Sequence, residues 1–181
     1  MRYVSTRGEA APLYFVEVML AGLARDGGLY VPESWPALGR ETIAGFAGKP
    51  YAEVAVDVIR PFVDGSIADG DVARMVREAY GVFRHPATAP LVQLDSSLFV
   101  LELFHGPTLA FKDLAMQLVA RLMDHALRQR SERTTIVVAT SGDTGGAAAE
   151  AFKGSGQVDV VVLFPRGRIS DVQQRMMTTV P

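Results

Sequence analysis

The chain has 181 residues, 49% hydrophobic and 21% charged, a balance that fits a globular protein of one full domain or two small ones. A formal net charge of −2 and a pI near 5.9 leave no electrostatic footprint for nucleic acid. The absence of cysteine excludes a disulfide framework, a thiolate metal site and a cysteine nucleophile; it fits a reducing cytoplasm, where the chain is expected to reside.

The first apolar run, Leu13–Ala24, has the length of a signal-peptide core, but Glu17 interrupts it and Glu9 precedes it. Phe15, Val18, Met19, Gly22 and Leu23 fall on one helical face, so an amphipathic helix is predicted there, and no segment is long enough to span a membrane. Asp26-Gly-Gly marks a tight turn into a short extended piece ending at Pro32. Pro50 is placed as the first residue of a helix with Tyr51, Val54, Ala55, Val58 and Ile59 on its apolar face and Pro61 as its stop. A third helix carries Val72, Met75, Val76, Ala79 and Tyr80 and ends at Gly81. Residues 1–85 therefore read as a small, mostly helical N-terminal module.

After the Pro-rich link His85–Pro90 the pattern changes. Leu91–Leu94 and Leu98–Phe104 read as strands around an Asp-Ser-Ser turn. A long helix follows Lys112, with Ala115, Leu118, Val119, Leu122 and Ala126 buried. Thr135–Thr140 and Val158–Phe164 are continuous apolar strands of the kind buried on both faces of a parallel sheet. Between them a Gly-rich turn opens an Ala-rich helix, which completes a βαβ unit. The class is α/β, with residues 86–181 as part of a parallel-sheet domain. Met176–Pro181 shows no cap or polar tail, and so short a sheet leaves edges open, so more of the fold is expected to lie beyond these residues.

Two stretches carry candidate chemistry. In the first, Lys112 follows a Gly-Pro turn and an aromatic residue, Phe111, and opens a helix. Desolvation and the positive helix end both favour a nucleophilic amine of the kind that condenses with carbonyl groups; the plainer reading is a solvated surface charge. In the second, Thr140–Gly146 lies between a strand and a helix, where outward N–H groups bind anions and glycines admit a ligand closely. Plainer readings are a βα turn capped by Asp143 or Thr144, or a nucleotide-phosphate loop, although a Walker lysine is missing. The three histidines, His85, His105 and His125, lack metal-ligand spacing, so no metal is expected.

Taken together these motifs resemble the threonine synthase family, within the fold type II (tryptophan synthase β-like) pyridoxal-phosphate enzymes. The family's H-G-P-T-x-A-F-K-D stretch is matched from His105 to Asp113, and A-T-S-G-D-T-G from Ala139 to Gly145. D-G-G-L-Y-V-P is matched from Asp26 to Pro32, and G-R-x-S…Q from Gly167 to Ser170 with Gln173 or Gln174. The serine and threonine dehydratases and the cysteine synthases resemble different motifs at these places, with Asn where Asp143 stands.

The resemblance implies conversion of O-phospho-L-homoserine and water to L-threonine and phosphate, with pyridoxal 5′-phosphate as cofactor. It implies Lys112 as the catalytic lysine, with Phe111, Lys112, Asp113 and Asp143 toward the cofactor. His105, Thr140, Ser141, Gly142, Asp143, Thr144 and Gly145 are implied toward the substrate. His105 orients either the lysine loop or the substrate phosphate, or only stabilises its turn. The family's loop for the cofactor phosphate and its partner for the pyridine nitrogen have no counterpart before Pro181, so this chain by itself is expected to be inactive. Three other readings stay open: another fold type II lyase, a non-catalytic module that binds an anionic metabolite, and a structural piece that docks on a partner carrying the rest of the fold.

Overall fold

The computed structural model describes residues 1–180 and falls into two compact units, Met1–Arg77 and the residues from Glu78 on. Pro181, at the end of the stretch read as uncapped, lies outside the described residues.

The first unit opens with three strands the sequence reading did not separate in full: β1 (Arg2–Ser5), β2 (Leu13–Tyr14) and β3 (Tyr30–Pro32), in the order β2-β1-β3 and antiparallel throughout. Tyr3 and Ser5 alternate inward along β1, and the buried Ser5 hydroxyl is satisfied by donating to Asp26 Oδ1 at 2.8 Å. Helix α1 (Phe15–Ala21) ends where Gly22 adopts φ 69°, so Gly22 and Leu23 lie beyond the helix predicted to include them. The short α2 (Arg40–Ala44) was not anticipated.

In α3 (Tyr51–Val63) Pro50 occupies the N-cap and not the first turn, and Pro61 lies inside the helix instead of stopping it. Proline near a helix end forfeits one backbone hydrogen bond without breaking the turns before it. The stop falls at Asp64, left-handed at φ 44°, whose N–H reaches the Arg60 carbonyl. Its buried residues are Ala55, Val56 and Val63; Val58, expected inside, is exposed. Helix α4 (Asp69–Tyr80) buries Val72, Met75, Val76 and Ala79 as its spacing predicted.

The second unit carries the hairpin β4 (Leu91–Gln93) and β5 (Phe99–Leu101), antiparallel, with every residue of both strands exposed. Helix α5 (Asp113–Arg130) buries Leu118, Leu122 and Ala126, but also Gln117, Ala120 and Leu127, while Ala115 is exposed. The parallel pair β6 (Thr134–Ala139) and β7 (Val158–Leu163) flanks α6 (Asp143–Ala151), which gives the predicted βαβ unit. The strands are not buried on both faces. Burial alternates along each, with Val137 62% exposed and Leu163 54% exposed, because α6 lies against only one side. Gly145 marks that contact: a Cβ there would stand 2.7 Å from Val162 Cγ1. The chain then forms α7 (Asp171–Thr178), begun by Ser170 in a capping box with Gln173.

Among the described residues, no helix is long and apolar enough to cross a membrane.

Candidate functional site

Lys112 is delivered by a loop whose shape is set from inside. Asp113 is fully buried (0% exposed), with Oδ2 accepting from the Thr108 N–H at 2.8 Å and Oδ1 from the Thr108 hydroxyl at 2.7 Å. Gly106 lets the loop close over this carboxylate, since a Cβ there would stand 2.4 Å from Asp113 Oδ2 and 2.5 Å from Asp113 Cβ. Leu109 takes a left-handed φ of 62° at the loop crest. The carboxylate implied to face the cofactor is therefore engaged by Thr108, and its visible work is to fix the turn from which Lys112 emerges.

Lys112 sits at the N-cap of α5 with no side-chain cap hydrogen bond, so its amine is free to point away from the helix. Nζ lies 4.3 Å from the centroid of the Phe111 ring and 3.7 Å from Asp143 Oδ2. The ring face and the carboxylate are both partners of a cation. Phe111 itself is 61% exposed, so the ring forms one wall beside the amine without closing it from water.

The Gly-rich loop brings Asp143 to this amine. Thr140 Oγ1 accepts from the Gly142 N–H at 3.0 Å and folds the strand end into the turn. Gly142 is the N-cap of α6, and no side chain caps that helix, which removes the reading in which Asp143 or Thr144 serves as a simple cap. Asp143 turns instead toward Lys112 and accepts from Gln173 Nε2 at 2.8 Å. Ser141 is exposed and Thr144 half-buried, so their hydroxyls accompany the uncapped N–H end of α6. Gly145 is buried where any side chain would meet Met177, Thr140 and Val162.

His105 is engaged by neighbours of its own. Its Nε2 pairs with Glu102 Oε2 at 2.7 Å, its ring lies 5.0 Å from that of His85, and its carbonyl accepts from the Arg84 N–H. These contacts are those of a turn-stabilising residue. The structure thus brings Phe111, Lys112, Asp143 and the Thr140–Gly145 loop together, with Asp113 beneath them and His105 tied to Glu102.

Of the two candidate glutamines, Gln173 and Gln174, it is Gln173 that reaches the site. Ser170 three residues before a glutamine is a capping-box signal, and it was available in the sequence.

The Asp26–Gly28 turn of the N-terminal unit has a structural task. Asp26 accepts from Gly28 N, Ser5 Oγ, Glu9 N and Ala10 N. The Gly28 N–H foremost, with Ser5, Glu9 and Ala10, holds its carboxyl below the usual aspartate range against the opposing effect of desolvation.

Residues 2–80 match the family model described as threonine synthase N terminus. The chain is 57% identical over 180 residues to a threonine synthase of Pseudomonas aeruginosa, a match that covers 99% of this chain and 38% of that protein. It is 39% identical over 181 residues to threonine synthase-like 2 of Xenopus laevis, covering 99% of this chain and 38% of that one. The crystal structure of PLP-bound threonine synthase from Brucella melitensis matches with a TM-score of 0.95 at 63% identity, over 98% of this chain and 38% of that chain. The chain spans a little over a third, 38%, of the length of these relatives.

Proposed function

On the premise that this chain belongs with the N-terminal portions of the threonine synthases, we propose that it carries the cofactor lysine and the substrate loop of an enzyme converting O-phospho-L-homoserine and water to L-threonine and phosphate. The observation that carries this reading is the meeting of Lys112 Nζ with Asp143 Oδ2 at 3.7 Å, at the uncapped N-terminus of α6.

The residues fit pyridoxal 5′-phosphate, the group named for the Brucella relative. A primary amine, a carboxylate, an aromatic wall and a Gly-rich turn with free hydroxyls form a donor set suited to a carbonyl-bearing aromatic anion. When bound, the cofactor supplies an electron sink for charge that develops at the substrate Cα. Lys112 Nζ would hold it, and once free would carry protons at the substrate Cα and Cβ as phosphate leaves and water adds. Phe111 would flank the amine, and Asp143 would face the ring hydroxyl while keeping Lys112 in place. The Thr140–Gly145 backbone, with Ser141 and Thr144, would receive the substrate carboxylate, helped by the positive end of α6. Asp113 and His105 would act from behind, fixing the lysine loop and its flank.

We place this machinery in residues 86–181, with residues 1–85 as an accessory N-terminal module, and the protein in the cytoplasm. Turnover would need residues that the longer relatives carry outside the matched stretch. The β4–β5 hairpin, exposed along both strands, and the open face of β6–β7 support that requirement, because apolar surface of this extent is ordinarily covered.

The test is a chimera in which this chain replaces the matched N-terminal stretch of the Pseudomonas relative. With pyridoxal phosphate it should release phosphate from O-phospho-L-homoserine, and Lys112→Ala should lower the rate at least about a hundredfold. A Lys112→Ala chimera with undiminished turnover would refute the assignment.

A further inference from the structure

Asp143 is half exposed and stands on the first residue of α6, so nothing in its own helix aims its carboxylate. Its aim comes from α7. Gln173 Nε2 donates to Asp143 Oδ1 at 2.8 Å, and the second oxygen, Oδ2, is then the one that faces Lys112 Nζ at 3.7 Å. The amide of Gln173 is fixed in turn. Its Oε1 accepts from the Ser170 N–H at 3.2 Å and the Ser170 hydroxyl at 3.1 Å, while Ser170 Oγ accepts from the Gln173 N–H at 3.2 Å. A primary amide has one oxygen that accepts and one NH2 that donates. With the oxygen committed to the Ser170 N–H, the NH2 must turn toward Asp143, so the network decides the orientation of the amide.

Gly142 makes room for this arrangement. A Cβ at that position would stand 2.3 Å from Gln173 Nε2 and 2.4 Å from its Cδ. The neighbouring Gln174 contributes its backbone carbonyl to Thr178 Oγ1 and stands outside the chain of contacts.

We infer that Gln173 is a positioning residue: the capping box of α7 holds its amide, and the amide holds the Asp143 carboxylate toward Lys112. The functional meaning of this linkage rests on the reading of Lys112 as the cofactor lysine, whereas the linkage itself is measurable without cofactor.

The chain contains three lysines, Lys49, Lys112 and Lys153, so each can be followed by peptide mapping after brief acetylation with acetic anhydride. Gln173→Met keeps the length of the side chain and removes the amide. Lys112 should then acetylate about two- to fivefold faster relative to Lys153, the size expected when a part-exposed ion pair is lost. Lys49, paired with Asp57 at 3.0 Å, should not change. Asp143→Asn should give the same rise, and the double variant should rise no further than either alone, because both substitutions remove one interaction. Gly142→Ala, whose Cβ would displace the amide, should reproduce the effect should Gln173→Met disturb the folding of α7. Gln174→Met should leave Lys112 unchanged.

Unchanged Lys112 labelling in both Gln173→Met and Gly142→Ala, or multiplied effects in the double variant, would overturn the inference. Cofactor trapping away from Lys112 would sink the functional reading and leave this labelling pattern intact. Flat labelling with trapping at Lys112 would do the reverse.

Discussion

Asp113→Ala tests how the lysine loop is held. The substitution removes the acceptor of two hydrogen bonds, from Thr108 N–H at 2.8 Å and from Thr108 Oγ1 at 2.7 Å. Hydrogen bonds to a charged group contribute about 1.5–3 kcal/mol each, so losing both would cost about 3–6 kcal/mol before relaxation and rehydration. Thr108 is half-buried, so water can recover part of the loss on that side. The expected destabilisation is therefore about 2–4 kcal/mol, most of it localised to the 106–111 loop. Asp113→Asn retains one acceptor oxygen and should lose about half as much. Urea unfolding followed by helical circular dichroism gives the magnitude, and limited chymotrypsin cleavage after Leu109 or Phe111, both exposed, reports the local part. A loss below about 1 kcal/mol with unchanged cleavage would refute the view that this carboxylate fixes the loop.

Gly106→Ala should destabilise by about 1–3 kcal/mol, since its Cβ would stand 2.5 Å from the backbone-anchored Asp113 Cβ, which no rotamer change can relieve; thermal unfolding measures it. Asp143→Ala in the chimera should cut turnover at least about tenfold, the equivalent of about 1.4 kcal/mol of transition-state stabilisation, with little change in melting because the side chain does not cap α6. A lowered melting temperature with full turnover would point to a structural role instead. For Asp26 the folded pKa is depressed, so its contribution to stability is fully present above the ordinary aspartate range and is lost as pH falls through the folded value. Urea midpoints of the wild type and Asp26→Asn should therefore converge between about pH 5 and the acid limit of the fold; a gap that stays constant with pH would count against the carboxylate network.

Much of this was legible because it is local. The βαβ unit followed from two apolar runs around a Gly-rich turn, and the inward set Val72, Met75, Val76 and Ala79 followed from helical spacing. What escaped depends on neighbours distant in sequence. β2 is two residues long and exists as a strand only by pairing with β1, so no periodicity could announce it. β6 and β7 have the composition of strands covered on both sides, yet Val137 and Leu163 are exposed in this chain because one covering layer, α6, is present among the described residues. Ala115 and Val58 fell on the wrong side because an arc of apolar residues leaves the centre of the buried face uncertain by one position. Within the site, motif spacing selected Lys112 and Asp143 but could not show that Asp113 turns inward to Thr108, or that Gln173 and not Gln174 reaches Asp143. The Ser170 capping box was the one overlooked signal that sequence alone supplies.

The central claim, that Lys112 is the lysine that takes the cofactor, is tested most directly by borohydride trapping. The chain, and separately the chimera, would be incubated with pyridoxal phosphate, reduced and mapped by peptide mass. The pyridoxyl group is expected on Lys112, stoichiometrically in the chimera and weakly in the chain alone, with Lys112→Ala abolishing it. Equal or preferential labelling of Lys49 or Lys153, the other two lysines of the sequence, would contradict it.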